Sequence, residues 1–174
     1  TSLYCQNIMK DLGFAIHQTK SMQTGFYCDY GFGKGPILAL RCDLDALPIQ
    51  EVNTVDYCSI NPGVSHACGH DVHLTNILGL ASYIIETEQT IPGTIRFIFQ
   101  PAEETAPGGA VVMIEGGAID GVDHIIGGHV LPSLSPAKIG IRYGAMAAAV
   151  EQIVVCLKGP GGHTSRPAES VDLI

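Results

Sequence analysis

The sequence predicts an α/β fold, and two observations carry the prediction. Short apolar runs that suit buried parallel strands alternate with stretches of helical spacing. Three of those runs end in polar residues at the same relative place: Asp43 and Asp45 after one, Glu103 and Glu104 after the next, His129 after the third. Polar residues just past the carboxyl ends of buried strands are where open α/β sheets place their sites. The recurrence points to one common site at one edge of one sheet.

Taken in order, Leu3, Ile8, Met9 and Leu12 have helical spacing over residues 3 to 12, and Gly13 is a natural stop. Residues 25 to 30 read as a short strand. The run Gly31-Phe32-Gly33-Lys34-Gly35-Pro36 reads as a hairpin turn. A strand rather than a helix follows it, so no helix N-terminus is available to cradle a phosphate. Ile37 to Leu40 is a fully apolar run, and Arg41 to Pro48 leaves its end. Residues 73 to 88 read as a helix with Leu74, Ile77, Leu78, Ala81 and Ile84/Ile85 on one face. Pro92-Gly93 turns the chain into a strand over 94 to 100. Gly108 to Glu115 reads as a helix, and Asp123 to Ile126 as a strand ending at Gly127-Gly128-His129. Near residue 138 the style changes. Residues 139 to 141 and 152 to 158 read as antiparallel strands, and Gly159 to Pro167 as a loop before a final helix. The expected division is 1–142 for a first domain and 143–174 for the beginning of a second, with the chain cut inside it.

With 174 residues, 46% of them hydrophobic, the chain can bury a core. Its net charge of -8 and lack of a Lys/Arg block leave no electrostatic footprint for nucleic acid or an anionic membrane. The apolar runs fall short of the roughly 18 residues a membrane span needs. Six cysteines without a CxxC pair or a compact framework favour a reduced, cytoplasmic setting.

The chemistry concentrates in Ser65-His66-Ala67-Cys68-Gly69-His70-Asp71-Val72-His73. Imidazole, thiolate and carboxylate are the side chains that bind transition metals. Cys68 and His70, two apart on a glycine-flexed loop, can aim at one metal centre; apart from their neighbours they also read as a small buried Cys and a surface His. Glu103 and Glu104 point in different directions at a strand end. One can bind metal while the other accepts a proton from activated water; alone, the pair also reads as solvated charge near a helix start. His129 alone also reads as an exposed histidine. His163, in a glycine-rich loop beside Arg166, can donate to a developing oxyanion or a carboxylate. Asp43, Asp45 and Asp71 are candidate partners that orient ligating histidines; Asp43 and Asp45 read equally as loop-capping residues. The motifs H-E-x-x-H, G-x-S-x-G and Walker A are absent.

Four segments together, Arg41 to Ile49, Ser65 to His73, Gln100 to Glu104 with Pro107-Gly108-Gly109-Ala110, and Gly159 to Pro167, resemble the M20 metallopeptidase family, and its amidohydrolase branch above all. The resemblance implies a three-layer αβα catalytic domain with an inserted α+β lid that forms a dimer contact. It implies a binuclear site for two divalent metals (Mn, Zn, Co or Ni), with Cys68, His70, Glu104 and His129 as ligands and Glu103 as general base. His163 would polarise the scissile carbonyl, and the intact homodimeric enzyme would hydrolyse the amide of an N-acyl amino acid or a peptide. Two departures follow. The family's last metal ligand, a histidine of its C-terminal half, has no counterpart in these residues, so little activity is expected of this stretch alone. The histidine that usually follows the Gly-Gly-His-Thr-Ser-Arg-Pro element is Ala168 here.

Overall fold

The computed structural model describes residues 1–174 except 19, 22, 23, 32, 33, 150–152, 164, 170 and 172–174. The chain divides into two compact units, Thr1–Lys138 and Ile139–Ile174.

The first unit runs α1 (Ser2–Asp11), β1 (Phe26–Tyr30), β2 (Ile37–Asp43), α2 (His70–Glu86), β3 (Thr94–Gln100), α3 (Gly109–Glu115) and β4 (His124–Gly127). The strands form one sheet in the order β1-β3-β2-β4. β3 and β4 run parallel to β2, and β1 runs antiparallel to β3. Helices cover both faces, as the predicted α/β class requires. Cys5 and Met9 of α1 and Leu74, Ala81 and Ile84 of α2 pack with Phe26, Cys28, Cys42, Phe97 and Phe99 on one face. Met113 of α3 packs with Ala39 and Ile98 on the other. The split follows the twofold alternation of strand side chains. Phe26 and Phe99 are paired across the ladder and stack with ring centroids 4.3 Å apart.

Two expectations need correction here. Residues 31–36 are not a hairpin, because β3 lies between β1 and β2. The described glycines there serve a close backbone crossing instead. A Cβ on Gly31 would meet the Gly93 carbonyl oxygen at 2.4 Å, and one on Gly35 the Pro92 carbonyl oxygen at 2.8 Å. The second helix begins at His70 rather than 73. Gly69 at φ 80° turns the loop straight into the helix, and Asp71 in the first turn suits the positive end of the helix dipole.

In the second unit the described residues hold one short 3₁₀ turn, Pro167–Glu169. Residues 139–141 and 153–158 form no strand. Ile139, Ile141 and Ile153 are exposed, and an apolar stretch with no ladder partner gains nothing by extending. The expected final helix falls mostly on residues outside those described. No helix among the described residues is long and apolar enough to cross a membrane.

Cys5, Cys28 and Cys42 are buried and unpaired. Burial, and secondarily Asp29, pushes the Cys28 thiol up to about 12 from an ordinary 9.0, and burial also raises Cys42 and Cys5. The folded chain therefore keeps these protons to higher pH than the unfolded chain. Their contribution to stability is complete below pH 9 and declines as pH rises toward about 12. The urea midpoint is expected to be lower at pH 10 than at pH 8, with a smaller drop in Cys28→Ala. An identical drop in that variant would rule out Cys28 as a source.

Candidate metal centre

The parallel register brings three strand ends to one edge. Asp43 of β2 lies opposite Gln100 of β3, and Arg41 opposite Gly127 of β4. Glu103 and Glu104 follow β3, and His129 and Val130 follow β4. The N-terminus of α2 brings in His70 and His73, with Cys68 one residue before the Gly69 cap.

The imidazole of His70 is oriented by a backbone carbonyl. Its Nδ1–H donates to the Asp45 oxygen at 2.9 Å. A carbonyl only accepts, so Nδ1 carries a proton, and in the neutral ring Nε2 then carries a bare lone pair. That Nε2 is buried and has no hydrogen-bond partner among the described residues. It lies 3.7 Å from Glu104 Oε1 and 3.7 Å from Asp43 Oδ2. His129 repeats the device: Nδ1–H donates to the Val130 carbonyl at 2.8 Å, and Nε2 lies 3.5 Å from Cys68 Sγ. Three sets place ligand atoms within 4.8 Å of one another: Cys68, His70 and His129; His70, Glu103 and Glu104; Asp43, His70 and His73. His70 is common to all three.

The first two sets fit a divalent cation. An unpartnered buried lone pair costs about 1–3 kcal/mol, and coordination satisfies it. Thiolate, imidazole and carboxylate together suit Zn, Mn, Co or Ni. The third set is closed on itself. His73 Nδ1–H donates to Asp43 Oδ1 at 2.6 Å, and its Nε2 accepts the Val130 N–H at 2.9 Å, so His73 keeps no lone pair for a metal.

Electrostatics agree with this division. Burial alone would raise the Asp43 carboxyl, but the His73 hydrogen bond, Arg41 and His70 outweigh it and hold it below its ordinary value. The hydrogen bond to Glu104, with lesser help from burial, pushes the Cys68 thiol up to about 11; metal uptake must therefore displace its proton. Burial lowers His66, against Asp71; His66 joins none of the three sets. Asp71 is exposed in the first turn of α2. Asp45 Oδ2 accepts the Glu104 N–H at 3.0 Å and so ties the β3 loop to the β2 loop. Beside Asp45 and Glu104 opens a cavity of about 380 Å³ walled by Leu44, Ala46, Leu47, Pro48, Pro101 and Ala102 and by the hydroxyl-bearing Thr1, Ser2, Thr24 and Thr105.

In the second unit His163 Nδ1 lies 2.7 Å from Ser165 Oγ, and exposed Arg166 pairs with Glu169 at 3.3 Å. The sequence reading missed the role of His73, and that of Arg41, which donates to Asp43 Oδ2 at 2.7 Å and to Gln100 Oε1 at 2.9 Å. The i,i+3 spacing of His70 and His73 was the available signal, since it puts both rings on one helix face.

Comparison with known proteins bears on this geometry. The model of peptidase family M20/M25/M40 matches residues 39–172. A probable hydrolase of Synechocystis sp. is 43% identical over the whole chain, which covers 44% of that protein. An N-acyl-L-amino acid amidohydrolase of Geobacillus stearothermophilus is 49% identical over 80% of the chain and 38% of its own length. Among solved structures, a dinuclear metal-binding peptidase of the M20 family from Bacillus subtilis superposes with a TM-score of 0.70 at 38% identity, over 76% of this chain and 37% of that one. The chain thus spans less than half the length of the curated relatives it matches. With the family match running across all three strand ends and the Cys68–His70 turn, the chain belongs to peptidase family M20/M25/M40.

Proposed function

We propose that the chain carries the metal-binding half of a metal-dependent hydrolase that cleaves the amide bond of N-acyl amino acids. The observation that carries the reading is the buried, unpartnered Nε2 of His70, facing Glu104 with Glu103 alongside and the Cys68–His129 pair next to it. Cys68, His70, Glu104 and His129 would hold two divalent cations. Bound there, the cations supply Lewis-acid polarisation of a carbonyl and acidify water.

The chain's own residues do the rest. Glu103 accepts a proton from the attacking water and delivers it to the leaving nitrogen, so that the amine departs neutral. His163 donates to the carbonyl oxygen as negative charge builds on it, and Arg166 pairs with the substrate carboxylate. Asp43 acts on the site through His73 and Arg41, and exposed Asp71 contributes negative charge at the first turn of α2. The cavity beside Glu104 is walled by apolar and polar side chains alike, so a panel of N-acyl amino acids and dipeptides is what separates the two substrate classes. A closed structural zinc site would leave Glu103 without a task. Residues 1–142 are proposed as catalytic domain and 143–174 as the start of a lid through which two copies dimerise.

The test is metal content. The chain loaded with Mn or Zn and then desalted is expected to retain metal by elemental analysis, and Cys68→Ser to retain less. No retained metal in the unsubstituted chain would end the proposal for these residues.

A further inference from the structure

We propose that His73 is a positioning residue: it grips the Val130 amide and thereby sets the loop that presents His129. The inference rests on the metal reading above, in which His129 is a ligand.

The dependence of His129 on His73 follows from a short chain of bonds. His129 is exposed; its Nδ1–H donates to the Val130 carbonyl at 2.8 Å, and its Nε2 lies 3.5 Å from Cys68 Sγ. The Nδ1 side of the ring is therefore set by Val130. The Val130 N–H in turn donates to His73 Nε2 at 2.9 Å, across 57 residues of sequence. His73 is buried on the first turn of α2, beside His70, so one side chain ties the two ligand-bearing segments together. Its ring stands 4.6 Å from the His129 ring at 70°. Val130 also presses on the other segment, because a Cβ on Gly69 would meet its Cγ2 at 2.4 Å.

His73 can grip Val130 only with its proton on Nδ1 and none on Nε2. Asp43 enforces that tautomer. Its Oδ1 accepts the Nδ1–H at 2.6 Å, while its Oδ2 is held by Arg41 at 2.7 Å. Arg41 is steadied in turn by Gln100. The relay Gln100–Arg41–Asp43–His73–Val130 links the ends of β3, β2 and β4. Such outer partners typically change metal affinity by about 10–100-fold.

Two substitutions separate the halves of the relay. Asn at position 73 places a donor near Asp43 but no acceptor within reach of Val130. Gln places a carbonyl oxygen near the position of Nε2. By chelator competition His73→Asn should bind Co²⁺ about 10–100-fold more weakly than the unsubstituted chain, and His73→Gln should recover part of the loss. The thiolate–cobalt absorption should persist in both, because Cys68 is untouched. Unchanged affinity in His73→Asn would overturn the inference while leaving the metal reading intact. Absence of Co²⁺ uptake by the unsubstituted chain would overturn the metal reading and this inference with it. Should His73→Asn fail to fold, ¹⁵N NMR of the unsubstituted chain decides. A His73 proton on Nδ1 and a Val130 amide protected from exchange are expected; a proton on Nε2 or a freely exchanging amide would sink the proposal.

Discussion

Glu103→Gln is expected to lower turnover of an N-acyl amino acid by at least about 100-fold, the usual range for loss of a general base, with metal content unchanged. The measurement belongs in the whole protein, since the relatives are more than twice as long as this chain. Gln keeps the size and shape of the side chain and removes only its ability to take a proton. The loop should not move, because its anchor is the Glu104 N–H on Asp45 Oδ2, not the Glu103 side chain. Glu104→Gln serves as the contrast. Glu104 faces the bare Nε2 of His70 at 3.7 Å, so its loss should reduce metal content along with turnover. Substantial turnover by Glu103→Gln would remove Glu103 from the role. Metal lost equally from both variants would show that the two carboxylates are not divided between base and ligand.

The strand ends were legible because a buried parallel strand must be apolar along its length, so the first polar residues after it stand out. Asp43, Glu103 and Glu104 stand out that way, whereas His129 follows β4, an exposed edge strand; the register aligns all three ends. The order of the strands was not legible. Residues 31–36 carry the glycine and proline of a turn, but whether the flanking strands pair depends on β3, some 60 residues later. The Cys68–His70 turn could be read from composition alone, since few segments place thiol, glycine and imidazole so densely. The role of His73 could not. Its two partners, Asp43 and the Val130 amide, are 30 and 57 residues away, and a backbone N–H carries no signature in sequence. The apolar stretches at 139–141 and 153–158 misled for the opposite reason: strand composition without a partner to pair with does not make a strand.

The second large effect concerns His70, whose Nε2 is the vertex shared by all three clusters. His70→Leu is expected to leave the metal-free protein about as stable as before, within roughly 1 kcal/mol. Two terms offset each other. The half-buried Asp45 carbonyl loses its Nδ1–H donor, and an acceptor deprived of its donor costs up to about 1–3 kcal/mol. The unpartnered Nε2 disappears at the same time, which recovers a cost of the same size. With saturating metal the two proteins part. A ligand at a thousand times its Kd stabilises a fold by roughly 4 kcal/mol, and that increment should be present in the unsubstituted chain and absent from His70→Leu. Urea unfolding with Zn²⁺ and with a chelator reads both quantities in one experiment. A metal-free loss of several kcal/mol in the variant would mark His70 as a core residue held for packing. Equal metal-induced stabilisation in both proteins would mean that the cation binds elsewhere, and the cluster at the strand ends would then be a hydrogen-bonded core feature.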